Sequence, residues 1–429
     1  MDSSAFVPSG AKLGCPRKLR RCRAVSMASD RKVLVISGPT AVGKSSLAIK
    51  LAQRLDGEII SADSVQVYRN LDVGSNKPSE EERRTVKHHL IDVALPEEDD
   101  YSAGQFFHDA RAATQDALGR GKLPIVVGGT SMYVRWFVYG KPPTAESSPE
   151  VREQVEREVA EVHGDWNAAL NLLSELDKSR AEKLEKNDWY RLKRSLEIIR
   201  SSDRTITDLP DVGAAPAAVM PEKSDLDVRC IFLIDSRQAL FKRIDERCEI
   251  MLAKNGLISE VAELLLENRL RLESSPTRAI GYRQVIEYLL ARKLDLEGVE
   301  DPKAAFRSFL KVFMSATRQY ARKQMQWFRS DKNFLWLPIY PADFEMNYDN
   351  LEYEAERLIS LDREAFDAEV ASSTQTRLRE LYSAEGPSMK RYISQPVLIT
   401  PDGQIERKLL AEVENSAARL RAEEMYIKT

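Results

Sequence analysis

Gly38, Pro39, Thr40, Ala41, Val42, Gly43, Lys44 and Ser45 follow a short β-branched run (VLVIS, 33–37) and open a helical pattern. The spacing GxxxxGK[ST] between a strand and a helix is the context in which such a loop cradles phosphates. Its backbone N–H groups and the helix N-terminus hold the anion, Lys44 adds a point charge, and the Ser45 hydroxyl can ligate Mg²⁺. That establishes a polyphosphate and leaves open which one: a triphosphate that donates a phosphoryl group, or a diphosphate that leaves. A nucleoside triphosphatase also wants an apolar strand ending in a magnesium-binding acid. CIFLID (230–235) offers Asp235, but the helix entrance that follows makes Asp235 read as an N-cap rather than a metal ligand. In a small-molecule kinase, the acid after the second strand, Asp63, would activate a hydroxyl.

The elements that must position these groups follow the same pattern. EIISA (58–62) reads as a strand delivering Asp63 to its C-terminal end, and LPIVV (123–127) as one delivering Gly128, Gly129 and Thr130. SEEE (79–82) and SAGQ (102–105) read as capping boxes, the second opening a helix to about Leu118. Strands alternating with helices at these distances imply an α/β fold: a P-loop NTPase-like parallel sheet flanked by helices. Ligands bind outside the carboxyl ends of such strands, so the loop, Asp63 and Thr130 should share one crevice. The core is expected over 31–141 and again over 222–340. Between them, 142–221 reads as a helical insertion, and 341–429 as a partly ordered helical extension of unreadable function.

The chain has 429 residues, 43% apolar and 31% charged, with a net charge of -3. Any nucleic-acid contact must therefore come from a local basic patch. Cys15, Cys22, Cys230 and Cys248 contain no CxxC pair, against a zinc ribbon or disulfide framework and for a reducing compartment. No apolar run approaches a membrane span, and no membrane partner is expected. Residues 1–30 are rich in Ser, Ala, Lys and Arg with two acids, Asp2 and Asp30. That composition matches an organellar transit peptide, the alternatives being a basic leader with no address or an arm that helps hold RNA; a plastid is expected ahead of a mitochondrion, and the cytoplasm if the leader is not a transit peptide.

GPTAVGKS, SADSVQVYRNLDVGSNKPS, HHLID, VGGTSMYVRWF, NDWYRLKRSLEI, AIGYRQV and ATRQYARKQMQWFR together resemble the tRNA dimethylallyltransferase (isopentenyltransferase) family over about 33–330, in its order and spacing. The resemblance implies that the loop binds dimethylallyl diphosphate, so that the diphosphate is a leaving group. It implies Asp63 as the general base at N6 of the adenosine 3′ of the anticodon. Thr130 is then a contact to the reacting nucleotide or diphosphate, and Arg283 the arginine approaching the diphosphate. Ser64, Val65 and Gln66 follow Asp63 against the tRNA; Arg152 and the run Tyr190, Arg191, Leu192, Lys193 and Arg194 match segments that touch its anticodon stem-loop. A monomer using Mg²⁺ is expected. Some eukaryotic members carry a C-terminal Cys/His finger; no Cys or His follows Cys248 here, so the chain resembles the bacterial type with a leader.

One further feature is independent of that resemblance. From Arg307 to Ser330 there is no acid, and Arg307, Lys311, Arg318, Arg322 and Arg329 are spaced 4, 7, 4 and 7 apart. A helix puts all five on one face, with Phe309, Val312, Phe313 and Trp327 packing elsewhere. Arg318 and Arg322 are thus candidates for RNA phosphate contact. The rival within the superfamily is an isopentenyltransferase that makes cytokinin from free AMP, ADP or ATP, which has little need of that basic face. The rival of another class is a P-loop kinase.

Overall fold

The structure, a computed structural model, describes residues 31–98, 101–142, 147–202, 204–208, 225–270, 274–294, 301–340, 351–384 and 392–427. The leader over 1–30 and the segment 210–221 lie outside these. Strands β1 (Lys32–Ser37), β2 (Gly57–Ser61), β3 (His88–His89), β4 (Leu123–Val127), β5 (Asp227–Ile234) and β6 (Phe334–Pro338) form one sheet of order β3-β2-β4-β1-β5-β6. Every neighbouring pair is parallel. Val33, Leu34, Val35 and Ile36 are all fully buried, as a central parallel strand covered on both faces requires. Four of the strands lie where apolar runs predict them. β3 is two half-buried histidines, and β6 is a five-residue apolar run that follows the turn residues Ser330, Asp331, Lys332 and Asn333.

Alternation along β1 assigns the two layers. Leu34 and Ile36 point into a core with helix α1 (Lys44–Leu55), while Val33 and Val35 point into the opposite one. Helix α2 (Glu80–Thr85) starts at the predicted capping box, with Ser79 Oγ accepting from Glu82 N at 3.2 Å and the Glu82 carboxylate accepting from Ser79 N at 2.7 Å. Helix α3 (Ala103–Gly119) repeats the device with Ser102 and Gln105. Such caps are worth about 1 kcal/mol each. Helix α4 (Ser131–Tyr139) then packs beside α3 over Val33 and Val35.

The 142–221 stretch supplies α5 (Pro149–Ala160), α6 (Trp166–Leu176), α7 (Lys178–Ala181) and α8 (Trp189–Ser202) around an apolar cluster of their own, in which Val155, Ala169, Leu173, Leu192 and Leu196 are fully buried. After β5 come α9 (Arg237–Ala253), α10 (Leu257–Leu266), α11 (Tyr282–Leu294) and the 28-residue α12 (Pro302–Arg329), whose apolar stripes join the α1 side of the sheet.

Helices α13 (Leu351–Ser360), α14 (Arg363–Val370), α15 (Ser373–Ala384) and α16 (Gln404–Ile427) are built into this framework. Ala355, Leu358, Phe366, Leu409 and Val413 belong to the main core. Lys32 Nζ donates to the Leu361 carbonyl at 3.2 Å, and the Gln375 amide bonds both Trp336 N and Trp336 O. This integration neutralises two members of the expected basic face, Arg307 and Arg318. Arg307 is paired with Glu406 at 2.7 Å and with Asp402 at 3.3 Å, and Arg318 with the buried Asp245. Val312 and Trp327, expected to pack, are exposed instead. The acid-free stretch describes one helix; its neutralising acids arrive from α9 and the C-terminal region, far away in sequence.

Candidate active site

The loop begins where β1 ends. Gly38 has φ +149°, and a Cβ there would lie 2.7 Å from the Leu233 carbonyl, so β5 leaves room for nothing larger. Gly43, at φ +99°, is the N-cap of α1 and caps it without a side chain, which leaves the first-turn N–H groups facing the loop. Lys44 folds back, its Nζ donating to the carbonyls of Gly38 at 3.0 Å and Pro39 at 2.9 Å. Ser45 is exposed in the first turn. Among the described residues no group of three or more His, Cys, Asp or Glu could hold a metal.

The crevice closes around this loop from β2 and β4. A Cβ on Gly128 would meet the Ala62 carbonyl at 2.0 Å, so glycine is what lets the ends of β2 and β4 approach. Ser64 N donates to Thr130 Oγ1 at 3.0 Å, and that hydroxyl lies 3.2 Å from Ser64 Oγ. Asp63 Oδ1 accepts from Val65 N at 2.9 Å and from Gln66 N at 3.3 Å. Its Oδ2 has no hydrogen-bond partner among the described residues. The Gln66 side chain is engaged with Ser61 Oγ and with the carbonyls of Ser75 and Asn76, which holds the turn in place.

Three residues that sequence reasoning did not single out complete the site. Gln324 of α12 accepts from Thr40 N and donates to the Gly129 carbonyl, both at 2.8 Å, tying the loop to β4. Tyr320, one turn earlier, lies beside Thr130 and Gln324; burial and the nearby Asp63 charge push its phenol well up. Arg247 of α9 donates to Thr40 Oγ1. Its Nε is buried without a partner, and burial pushes the guanidinium below its ordinary value. Burial first, and then Arg247, push Lys44 down to about 7, with Asp63 opposing. Neither Lys44 nor Arg247 has an ion pair among the described residues. Two partly buried cations without a paired carboxylate have the chemistry to hold an anion. The signal for Gln324 was legible as a polar break in the apolar stripe of α12; Arg247 sits in an ordinary charged helix and had none.

Other expected residues lie elsewhere. Arg283 is exposed on α11, held by Glu287 at 2.7 Å one turn on; the arginine at the loop is Arg247. Asp235 is neither cap nor exposed ligand: it is ion-paired with Arg243, and Ser236 takes the N-cap position. Leu192 is in the core of the α5–α8 helices and cannot touch a partner. Around it, Arg152 donates to the Ser147 carbonyl, Arg191 pairs with Asp188, Lys193 with Glu156 and Arg194 with Glu197. Tyr190 is exposed beneath the Arg278 guanidinium, 5.6 Å from the ring centre. Arg322 is exposed along the Phe241 ring, whereas Arg318 is mostly buried with Asp245.

Residues 66–331 match the family described as IPP transferase, and 31–100 match that described as isopentenyl transferase. The chain is 45% identical over 361 residues to tRNA dimethylallyltransferase 9 of Arabidopsis thaliana, covering 76% of each. It is 37% identical over 328 residues to the tRNA dimethylallyltransferase of Protochlamydia amoebophila, 76% of this chain and 90% of that one. Among solved structures, the tRNA delta(2)-isopentenylpyrophosphate transferase of Staphylococcus epidermidis superposes with a TM-score of 0.51 at 29% identity, covering 76% of this chain and 98% of that one. A eukaryotic dimethylallyltransferase acting on tRNA gives 0.60 at 24% identity, over 92% and 99%, a likeness of fold. With one family matched over more than half its length and relatives this similar, the chain belongs to the IPP transferase family.

Proposed function

We propose that this protein transfers a dimethylallyl group from dimethylallyl diphosphate to N6 of the adenosine 3′-adjacent to the anticodon of a tRNA. Dimethylallyl transfer and tRNA are the terms its relatives carry in their names. The observation that supports these residues as the machinery is that two partly buried cations held at the loop, Lys44 and Arg247, border the crevice that carries Asp63, whose Oδ2 has no hydrogen-bond partner among the described residues.

In this reading the loop N–H groups, Lys44 and Arg247 hold the diphosphate. As the allylic C–O bond breaks, its electron pair stays on the diphosphate oxygen, where the fixed cations stabilise the developing charge. The adenine N6 lone pair forms the new C–N bond, and the N6 proton passes to Asp63 Oδ2. The N–H groups of Val65 and Gln66 hold the other oxygen and fix the direction in which Oδ2 points. Thr130, bonded to Ser64 and beside Tyr320, lines the path of the nucleotide. Mg²⁺, when bound, would neutralise diphosphate charge, and the exposed Ser45 hydroxyl is the protein group that would hold it. Because N6 is reached only when the base leaves its stack, the anticodon loop must present it flipped. Arg152, Tyr190, Arg191, Lys193 and Arg194 of α5 and α8 would hold the stem-loop during this.

The match of 31–100 to the isopentenyl transferase family keeps one rival, a free-nucleotide enzyme. Incubating the protein with radiolabelled dimethylallyl diphosphate and either tRNA or AMP separates the two. Label on tRNA is expected; label on AMP alone supports the rival. Asp63→Ala should bind tRNA normally and lose at least about 10²-fold in turnover, the usual reach of general-base catalysis. Near-wild-type turnover would remove Asp63 from the mechanism.

A further inference from the structure

Helix α9 carries two charged rows. Arg243 and Arg247, four residues apart, face Asp235 and Thr40. Asp245 and Glu249, also four apart, are offset from them by two residues and so point away from the loop. Glu249 is 0% exposed, and its carboxylate accepts the N–H groups of Val397 at 3.0 Å, Leu398 at 2.6 Å and Ile399 at 2.6 Å. No cation pairs with it among the described residues. A carboxylate in this position is stabilised wholly by oriented backbone dipoles. Asp245 is bound on one side by Arg318 of α12 and on the other by the Tyr392 hydroxyl at 3.1 Å. The Tyr392 ring packs edge-on against Phe241 and lies under the Arg318 guanidinium. Ser394 Oγ reaches Met314 Sδ on α12 at 3.3 Å.

Residues 392–399 therefore form a strap across α9 and α12, the helices that present Arg247, Tyr320 and Gln324 to the loop. The strap lies beyond the 66–331 matched to the IPP transferase family. Apolar contacts alone tolerate small rotations of a helix, because their energy depends on area rather than direction. Three convergent donors on one carboxylate do not, because hydrogen bonds weaken steeply as they misalign.

We propose that Glu249 is a positioning residue: clamped by the strap, it fixes the rotation of α9 and thereby aims Arg247 at the anion site. This rests on the reading of Arg247 as a diphosphate ligand. Its role is to be separated from simple structural support by affinity measured on the folded protein.

The test uses the full chain and four variants: Arg247→Ala, Glu249→Gln, the double variant, and Tyr392→Phe, the mildest cut to the strap. Each is titrated calorimetrically with inorganic diphosphate at a temperature where circular dichroism shows it folded. Arg247→Ala is expected to weaken diphosphate binding. Glu249→Gln should weaken it by about threefold to thirtyfold, the range seen for substitutions that act through a packed network. Tyr392→Phe should do so to a lesser degree. In the Arg247→Ala background, Glu249→Gln should add almost nothing, since the group it aims is gone. If Arg247→Ala weakens binding while Glu249→Gln and Tyr392→Phe lower only the melting temperature, the strap is mere support and the proposal fails. If Glu249→Gln weakens binding equally in both backgrounds, it acts other than through Arg247, and the proposal also fails. If Arg247→Ala itself leaves binding unchanged, the reading of the anion site falls first and takes the proposal with it.

Discussion

Replacing Arg247 by methionine should leave the free protein at least as stable and the enzyme nearly inactive. The guanidinium is partly buried, its buried Nε has no partner, and its charge depresses the neighbouring Lys44. A methionine of similar reach keeps most of the packing while removing a desolvated cation. Exchanges of buried ionic groups for apolar ones stabilise proteins by about 1–4 kcal/mol; the lost bond to Thr40 Oγ1 offsets about 1 kcal/mol of that. A net gain of about 0–3 kcal/mol in unfolding free energy is expected, read by urea denaturation without ligand. Turnover should fall by about 10²–10³-fold, the usual effect of removing one preorganised group from a developing charge, read by single-turnover transfer to tRNA. Diphosphate at a hundred times its Kd should stabilise the wild type by about 2.7 kcal/mol and the variant at the same concentration much less. Turnover within about twofold of wild type would refute the assignment. So would a variant destabilised by several kcal/mol whose diphosphate affinity is unchanged, because Arg247 would then be a structural prop.

Two further outcomes follow from the same charges. Burial pushes Lys44 down to about 7 in the folded protein from the 10.5 of an ordinary lysine, so between those limits the unfolded chain holds the extra proton. The stability of the ligand-free protein therefore rises with pH across that window, by up to about 1.4 kcal/mol per unit. Lys44→Met should flatten the rise in a pH series of urea denaturations, and parallel slopes in both proteins would contradict it. Arg318→Ala should act through folding: it strands Asp245, and breaking a buried pair costs about 3–5 kcal/mol. Thermal melts and the salt dependence of tRNA binding separate the cases, since loss of a phosphate contact would change the salt slope and leave the melting temperature nearly intact.

What the sequence disclosed, and what it concealed, divides along the range of the forces involved. The loop at 38–45, the capping boxes at Ser79 and Ser102 and the continuous apolar strands are set by local geometry, and each is where the residues predict it. Asp63 and Thr130 meet because both end parallel strands of one sheet, a topological consequence that alternating strands and helices make readable. Arg247, Tyr320 and Gln324 depend on how α9 and α12 pack over that sheet, and no local pattern specifies such packing. The same limit applies to the basic face of α12. Periodicity correctly aligns Arg307 and Arg318 on α12, but Glu406 and Asp245, which neutralise them, are brought there by tertiary structure alone. Arg283 illustrates the limit of resemblance: the position carries an arginine, yet the side chain turns to Glu287 on the helix surface.

The account's central claim is most directly tested by a crystal structure with a non-reactive thio analogue of dimethylallyl diphosphate. Density is expected with both phosphates across Lys44 and Arg247, above the first turn of α1, and the allylic carbon turned toward Asp63 Oδ2. Diphosphate density anywhere else, or an allylic chain pointing away from Asp63, would contradict it.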